Sequence, residues 1–379
     1  MGLHHRRRPG YRSGAFHGLF QPGYGWGGIA GARPGRPDSR SFQRGAAHPR
    51  AAGRLPRHLH DLLRLAGAGQ PRHLSGSGET HTDIQLTGLK PWGGLATASL
   101  EAAEAVLAGI AYDGSAVYRK GAALAPRAIR RLSAVMPPVT ESGAALVELE
   151  LHDLGDLEAG GSIETSWEEI AGRLGAAPPG ALLTVLGGDH CSAVPVLAAQ
   201  ARRHPDLALL WFDAHPDLND FSRGSHWSCG CALYRALECA QLDPARVVLA
   251  GCRDFDLEEL DFIGRRGMLM LPIGEVAADP AAAGRRIAAA VGDHPLHVSF
   301  DIDVLDPAFA PGTEIASAGG LSTRQALAVL AAIAERCRLV GLDVMEVSPP
   351  LDHADITALA ALKIVFEFWG LSQRGATER

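Results

Sequence analysis

The stretch ALLWFDAHPDLND, residues 208–220, changes character midway. Its first half, through Phe212, is apolar without alternation. Strands buried on both faces of a parallel sheet read that way, whereas a half-exposed antiparallel strand alternates. Asp213, His215 and Asp217 then follow at alternate positions. Charges at the tip of a core strand are costly unless they are paired or hold a metal. The same texture recurs in ALLTVLGG, RVVLAGC, LHVSFDID and LVGLDVMEV. Helical patterns separate these runs, over 192–203, 257–266, 280–291 and 323–336. PRAIRRLSAVM adds an amphipathic helix opening at Pro126, and SLEAAEAVLAGIAYDG (99–114) passes from a helical pattern into a short strand and a glycine turn. Strand and helix alternating over about 270 residues predict a single α/β domain. Its sheet is doubly wound, mostly parallel and flanked by helices, and it spans residues 95–372, with no internal repeat and no second domain.

Bulk properties set limits around that domain. The 379 residues are 46% hydrophobic and carry a formal charge of −6, which selects no particular partner. Residues 1–80 differ from the rest. They hold 13 arginines against Asp38, Asp61 and Glu79, and are rich in Gly, Pro, Ala and His. Such a composition cannot bury enough apolar surface to offset ordering entropy. A disordered extension or a mis-annotated start is expected there, ahead of a transit peptide or a nucleic-acid arm. Six cysteines scattered through a large chain do not form a small disulfide scaffold, so a reducing cytoplasm is the expected setting. No apolar run approaches the roughly 18 residues of a membrane-spanning helix, so no membrane is expected as partner, and the folded portion indicates no nucleic acid.

In open α/β sheets ligands bind outside the carboxyl ends of the strands, and three runs end there in ionisable groups. LTVLGGDH ends in Asp189 and His190, LLWFDAHPD in Asp213, His215 and Asp217, and HVSFDIDVLDP in Asp301 and Asp303 with Asp306 beyond. Side chains two apart on an extended segment share a face, so each set can point into one space. Any one set could be a capped strand end or an Asp-initiated turn, and Gly187-Gly188 could merely mark a turn. Together they bring five or six carboxylates and two imidazoles to one edge of the sheet. That donor set suits hard or borderline divalent cations, Mn²⁺ ahead of a structural Zn²⁺. A pair of metals sharing carboxylates can hold a hydroxide at neutral pH.

These motifs resemble the ureohydrolase family, the arginases and agmatinases. GGDH (187–190), DAHPD (213–217) and SFDIDVLDP (299–307) match its three signatures. YDGSAVYRKGAALAPRAIR (112–130), PGTEIASAGGLSTRQAL (311–327) and GLDVMEVSPPLDHADITALAALK (341–363) extend the likeness over residues 100–370, closest to the agmatinase branch. The resemblance implies an arginase-like fold with two Mn²⁺ ions per subunit. One would be held by His190, Asp213, Asp217 and Asp301, and the other by Asp213, His215, Asp301 and Asp303. A bridging hydroxide would attack a guanidinium carbon to give urea and an amine. Asp217 would orient that hydroxide and Glu346 would pair with the guanidinium. The family histidine after DAHPD corresponds to His226 if Ser225-His226 is matched with three extra residues, or to Cys229 if GCALYRALE is matched without a gap. EIASAGG (314–320) departs from the family rim, with Glu314 in place of a glycine and Ser317 in place of a larger or acidic residue. Asn219 resembles an arginase asparagine that reads the far end of the substrate. Agmatine leads the implied substrates, followed by guanidinobutyrate, guanidinopropionate and arginine. Formiminoglutamate cleavage at the same site, or a metal-binding scaffold or regulator without turnover, are the alternatives. By resemblance the chain forms a homo-oligomer, a trimer or a hexamer.

Overall fold

The computed structural model describes residues 88–158 and 161–377, so the expectation for residues 1–80 lies outside it. Eight strands form one parallel sheet: β1 (Ala105–Ile110), β2 (Leu151–Leu157), β3 (Leu182–Leu186), β4 (Ala208–Phe212), β5 (Val247–Ala250), β6 (Leu269–Leu271), β7 (Pro295–Asp301) and β8 (Arg338–Met345). Their spatial order is β2-β1-β3-β8-β7-β4-β5-β6. Every pairing is parallel.

Helices cover both faces. They are α1 (Ala125–Ser133), α2 (Ile163–Gly175), α3 (Ala193–Arg203), α4 (Ala232–Cys239), α5 (Leu257–Arg266), α6 (Ile273–Ala278), α7 (Pro280–Val291), α8 (Thr323–Ala334) and α9 (Ile356–Thr377). Alternate residues of each central strand enter separate cores. Leu210, Phe212, Val298, Phe300 and Val344 pack in the core that contains α1, α7, α8 and α9. Leu209, Trp211, Leu183 and Val185 pack in the core that contains α2, α3, α4 and α5. Because both parities are buried, the strands show no hydrophobic alternation, and this is why they read as plain apolar runs.

The sequence reading is corrected at four places. The helical pattern ahead of β1 is a single 3₁₀ turn, Leu100–Ala102, because the strand claims Ala105 onward. Packing reaches back before residue 95, since Trp92 is fully buried against Phe366 and Trp369 of α9. The edge strands were not recognised, because polar residues interrupt β2 and β6 is only three residues long. Finally, one stretch, Ile356–Arg374 of α9, is long and apolar enough to cross a bilayer by length and composition. It is a core helix, 67% buried, and the indole of Trp369 donates to Thr184 Oγ1 of β3 at 2.9 Å.

Candidate metal centre

The four central strands, β3-β8-β7-β4, end side by side and carry the ionisable groups. Two glycines set the first of them. At Gly187 a side chain would overlap Met345, and at Gly188 it would overlap the backbone of Tyr112. The GG pair is thus a close approach and not only a turn. It lets Asp189 N donate to Tyr112 O at 2.8 Å and brings His190 over the strand ends.

The tips of β4 and β7 are built alike. Asp213 Oδ1 accepts from His215 N at 2.7 Å, and Asp301 Oδ1 accepts from Asp303 N at 2.8 Å. Each Asx-type turn leaves the second oxygen, Oδ2, pointing inward. His190 Nδ1 lies 3.0 Å from both Asp213 Oδ2 and Asp301 Oδ2, and 3.5 Å from Asp217 Oδ2. A second group adjoins the first: His215 Nδ1 stands 3.5 Å from Asp213 Oδ1 and 3.1 Å from Asp303 Oδ2. Asp213 therefore belongs to both clusters. The groups converge, but not by simple alternation as the sequence reading had it. The chain leaves the strand after Phe212, and Asp217 is turned inward by a left-handed backbone, φ 52°. Glu346 is also left-handed, φ 63°. Such conformations cost about 1–3 kcal/mol for a non-glycine residue and concentrate at functional sites.

A buried polar chain runs behind His190. Its Nε2 is 3.0 Å from Ser299 Oγ, Ser299 Oγ donates to Asp343 Oδ1 at 2.6 Å, and His297 Nε2 donates to Asp343 Oδ2 at 2.8 Å. Gln200 Nε2 completes the chain by donating to His297 Nδ1 at 3.2 Å. Because the Ser299 proton goes to Asp343, Ser299 Oγ must accept from His190 Nε2–H. That assigns the His190 lone pair to Nδ1. The imidazole is further fixed by stacking on Trp211 of β4, with centroids 3.9 Å apart and planes 7° from parallel. A lone pair facing three carboxylates, with Nδ1 and Asp213 Oδ2 both buried and without hydrogen bonds among the described residues, is repulsive unless a cation lies between them. The residues fit a divalent metal.

Electrostatics agree with that fit. Burial opposes a charged His190, yet Asp213, Asp217 and Asp343 outweigh it and lift the imidazole to about 9. Burial, reinforced by neighbouring acids, pushes Asp217, Asp301 and Glu346 well above the usual carboxylate range. Asp213 is buried too, but the two imidazoles hold it low. Left without a cation, the site would take up protons.

Other predicted residues are placed as follows. Asp189 is buried but turned away, its Oδ2 accepting from Ser115 N at 2.7 Å, and burial raises it to about 8. Glu346 Oε1 accepts from His190 N at 2.8 Å, while its Oε2 is buried without a hydrogen-bond partner among the described residues. His226 is not brought to the cluster. The segment Ser222–Ser225 closes a small antiparallel turn through Arg223 and Gly224, both at positive φ. His226 is left on the surface, its Nδ1 2.7 Å from Asp220 O. Cys229 lines the cavity instead. Asn219 lines the outer cavity, with Nδ2 3.4 Å from Asp256 Oδ2. Ser299, Asp343, His297, Gln200 and also Arg253, whose guanidinium donates to Asp303 O at 2.6 Å and Ser317 O at 2.9 Å, were not found from sequence. The polar residues at alternate positions inside LHVSFDID were the available signal for part of this set.

Above the cluster, a narrow inner pocket of about 20 Å³ is lined by His215, Asp217, Cys229, Asp301, Asp303 and Glu314, among others. Glu346 lines it as well. It lies beneath an outer cavity of about 440 Å³ that shares His215, Asp217 and Cys229 and is also lined by Arg223, Arg253, Asp254 and Asp256.

Residues 103–370 match the model of the Arginase family. An agmatinase of Neisseria meningitidis is 37% identical over 276 residues, covering 70% of this chain and 86% of that protein. A guanidinobutyrase of Pseudomonas aeruginosa is 34% identical over 285 residues, covering 71% and 86%. The solved structure of proclavaminate amidinohydrolase from Streptomyces clavuligerus superposes with a TM-score of 0.66 at 32% identity, covering 72% of this chain and 92% of that one.

Proposed function

The chain belongs to the arginase family of hydrolases acting on guanidino compounds, and from that premise we propose that it is a Mn²⁺-dependent amidinohydrolase that cleaves agmatine to urea and an amine. The observation that carries this reading is the inward convergence of His190, Asp213, His215, Asp301 and Asp303, with Asp213 common to both ligand groups. His190, Asp213, Asp217 and Asp301 would hold one cation. Asp213, His215, Asp301 and Asp303 would hold the other. When bound, the two cations cancel the carboxylate charge and make a water acidic enough to ionise near neutral pH.

The chain's own residues supply the rest. Glu346 Oε2 accepts an N–H of the guanidinium and holds its carbon over the cluster. Asp217, fixed by its left-handed backbone, accepts a hydrogen of the attacking water and fixes its direction. The water oxygen adds to the guanidinium carbon, its proton passes by way of Asp217 to the substituted nitrogen, and the bond to that nitrogen breaks to give urea and an amine. Cys229 is no nucleophile here, because burial and the acids Glu346, Asp217 and Glu314 push its thiol far up. His226, exposed on its turn, takes no part in the reaction.

The outer cavity bears on the substrate tail. Asp254 and Asp256 offer carboxylates to an ammonium group. Arg253 spends its N–H groups on backbone carbonyls, so they are not offered to a substrate tail although its charge remains. This favours agmatine. Arg223, exposed at the same mouth, favours the carboxylate tail of guanidinobutyrate as a second reading. By resemblance the enzyme works as a homo-oligomer, and its six cysteines, scattered through a large chain, are in keeping with a reducing cytoplasm. Urea release from agmatine, guanidinobutyrate, guanidinopropionate and arginine by Mn²⁺-loaded protein tests the proposal. Agmatine should give the highest kcat/KM. Formamide from formiminoglutamate, with no urea from any guanidino compound, would refute it.

A further inference from the structure

Two further side chains, Cys229 and Glu314, adjoin Glu346 in the inner pocket. Donor atoms of Cys229, Glu314 and Glu346 lie within 4.8 Å of one another. Glu314 is only 3% exposed and Glu346 5%. Glu314 Oε1 is held by the backbone N–H of Tyr118. Its Oε2, like Glu346 Oε2, is buried without a hydrogen-bond partner among the described residues. Both carboxylates line the same inner pocket. Two unpartnered carboxylate oxygens facing one small space call for a cation rich in donors. A planar guanidinium presents N–H groups along more than one edge and can satisfy both.

Resting on the amidinohydrolase reading, we propose that Glu314 and Glu346 form a two-carboxylate clamp on the guanidinium head, making Glu314 a specificity-determining residue of this chain. One terminal amino group of the substrate donates to Glu346 Oε2 and the other to Glu314 Oε2. The Cys229 thiol closes the third side as a neutral wall, where an imidazolium would repel the bound cation. A formimino head lacks one of the two terminal amino groups and cannot fill both carboxylates. The clamp thus selects for guanidines, while the outer cavity reads the tail.

Glu314→Gln keeps the Oε1 acceptor for Tyr118 and replaces only the free oxygen. Calorimetric titration of Mn²⁺-loaded wild type and variant with methylguanidinium chloride reads the clamp without turnover. The expected result is binding weakened about ten- to hundred-fold in the variant, the range for a lost charge-assisted hydrogen bond. N-methylformamidinium, by contrast, should change no more than about threefold. In turnover, KM for the guanidino substrate should rise by the same factor with kcat nearly unchanged. Metal content should be equal in the two proteins. Glu314→Gly, with the residue the family has there, should behave alike and guards against a fault peculiar to Gln. Equal methylguanidinium affinity in wild type and both variants would overturn the clamp. So would a third equivalent of Mn²⁺ or Zn²⁺ bound by wild type and lost in Glu314→Gln, since the cluster would then be a metal site. Absence of urea from wild type would refute the amidinohydrolase reading separately, because the calorimetric comparison does not depend on turnover.

Discussion

His190 is oriented from two directions, by stacking on Trp211 and by the Ser299–Asp343 hydrogen bonds behind its ring. Removing the hydroxyl in Ser299→Ala frees the Nε2 proton and with it the preference for a lone pair at Nδ1. Partners of this kind are worth about 10–100-fold in metal affinity. The expected outcome is a loss of that size in Mn²⁺ affinity by competition with a chelator, with kcat recovered at saturating metal. Unchanged affinity would remove Ser299 from the account. The ionisable residues of this site were legible because they follow apolar runs, where charge is out of place. The supporting residues were not, because Ser299 and Asp343 sit within the strands, where a lone polar residue gives no hint of its partner 44 positions away. His226 shows the opposite limit: a histidine in an apt motif, carried outward by a turn whose geometry depends on Arg223 and Gly224 adopting positive φ.

Central and edge strands differ in how they declare themselves. β3, β4, β7 and β8 are buried on both faces, and their apolar runs announced them. β2 reads LHDLGDL, and its polar residues are retained because they pair. Arg130 of α1 makes a bidentate contact with Asp153, Nε and Nη2 at 2.8 and 2.9 Å, and also reaches Asp156. Trp92 Nε1 adds a bond to Asp153 at 3.0 Å. No local pattern in the sequence reveals such a pairing. Arg130→Met leaves the two acids without their cation. Removing one partner of a largely buried ion pair costs roughly 3 kcal/mol. A lowered urea-unfolding midpoint with unchanged KM is expected, since β2 is the edge strand on the side away from β4 and β7. A midpoint equal to wild type would show that the pairing contributes nothing to the edge.

At the scale of the whole molecule, stability and metal binding are linked through protons. In metal-stripped protein His190 titrates near 9 when folded, against 6.5 for an unperturbed imidazole. The folded state therefore holds a proton that the unfolded state releases. Its contribution is fully present below about 6.5 and is lost as pH rises through about 9. The raised carboxyls of Asp217, Asp301 and Glu346 act in the same direction. Asp213, held low, contributes in the opposite sense, and its contribution is lost only in acid. The Tm of stripped protein should thus fall between pH 6.5 and 9, while the Mn²⁺-loaded protein should not follow it. A flat or rising Tm of the stripped protein over that window would contradict the assignment.

In the proposed reaction, hydrolysis requires two cations that share Asp213. This requirement is tested most directly by titrating the loaded protein with a chelator while following bound metal and urea release from agmatine together. Activity should fall in step with the departing metal and return when Mn²⁺ is restored. Asp213→Ala should lose both from the outset. Undiminished urea release from protein stripped of both metals would contradict it.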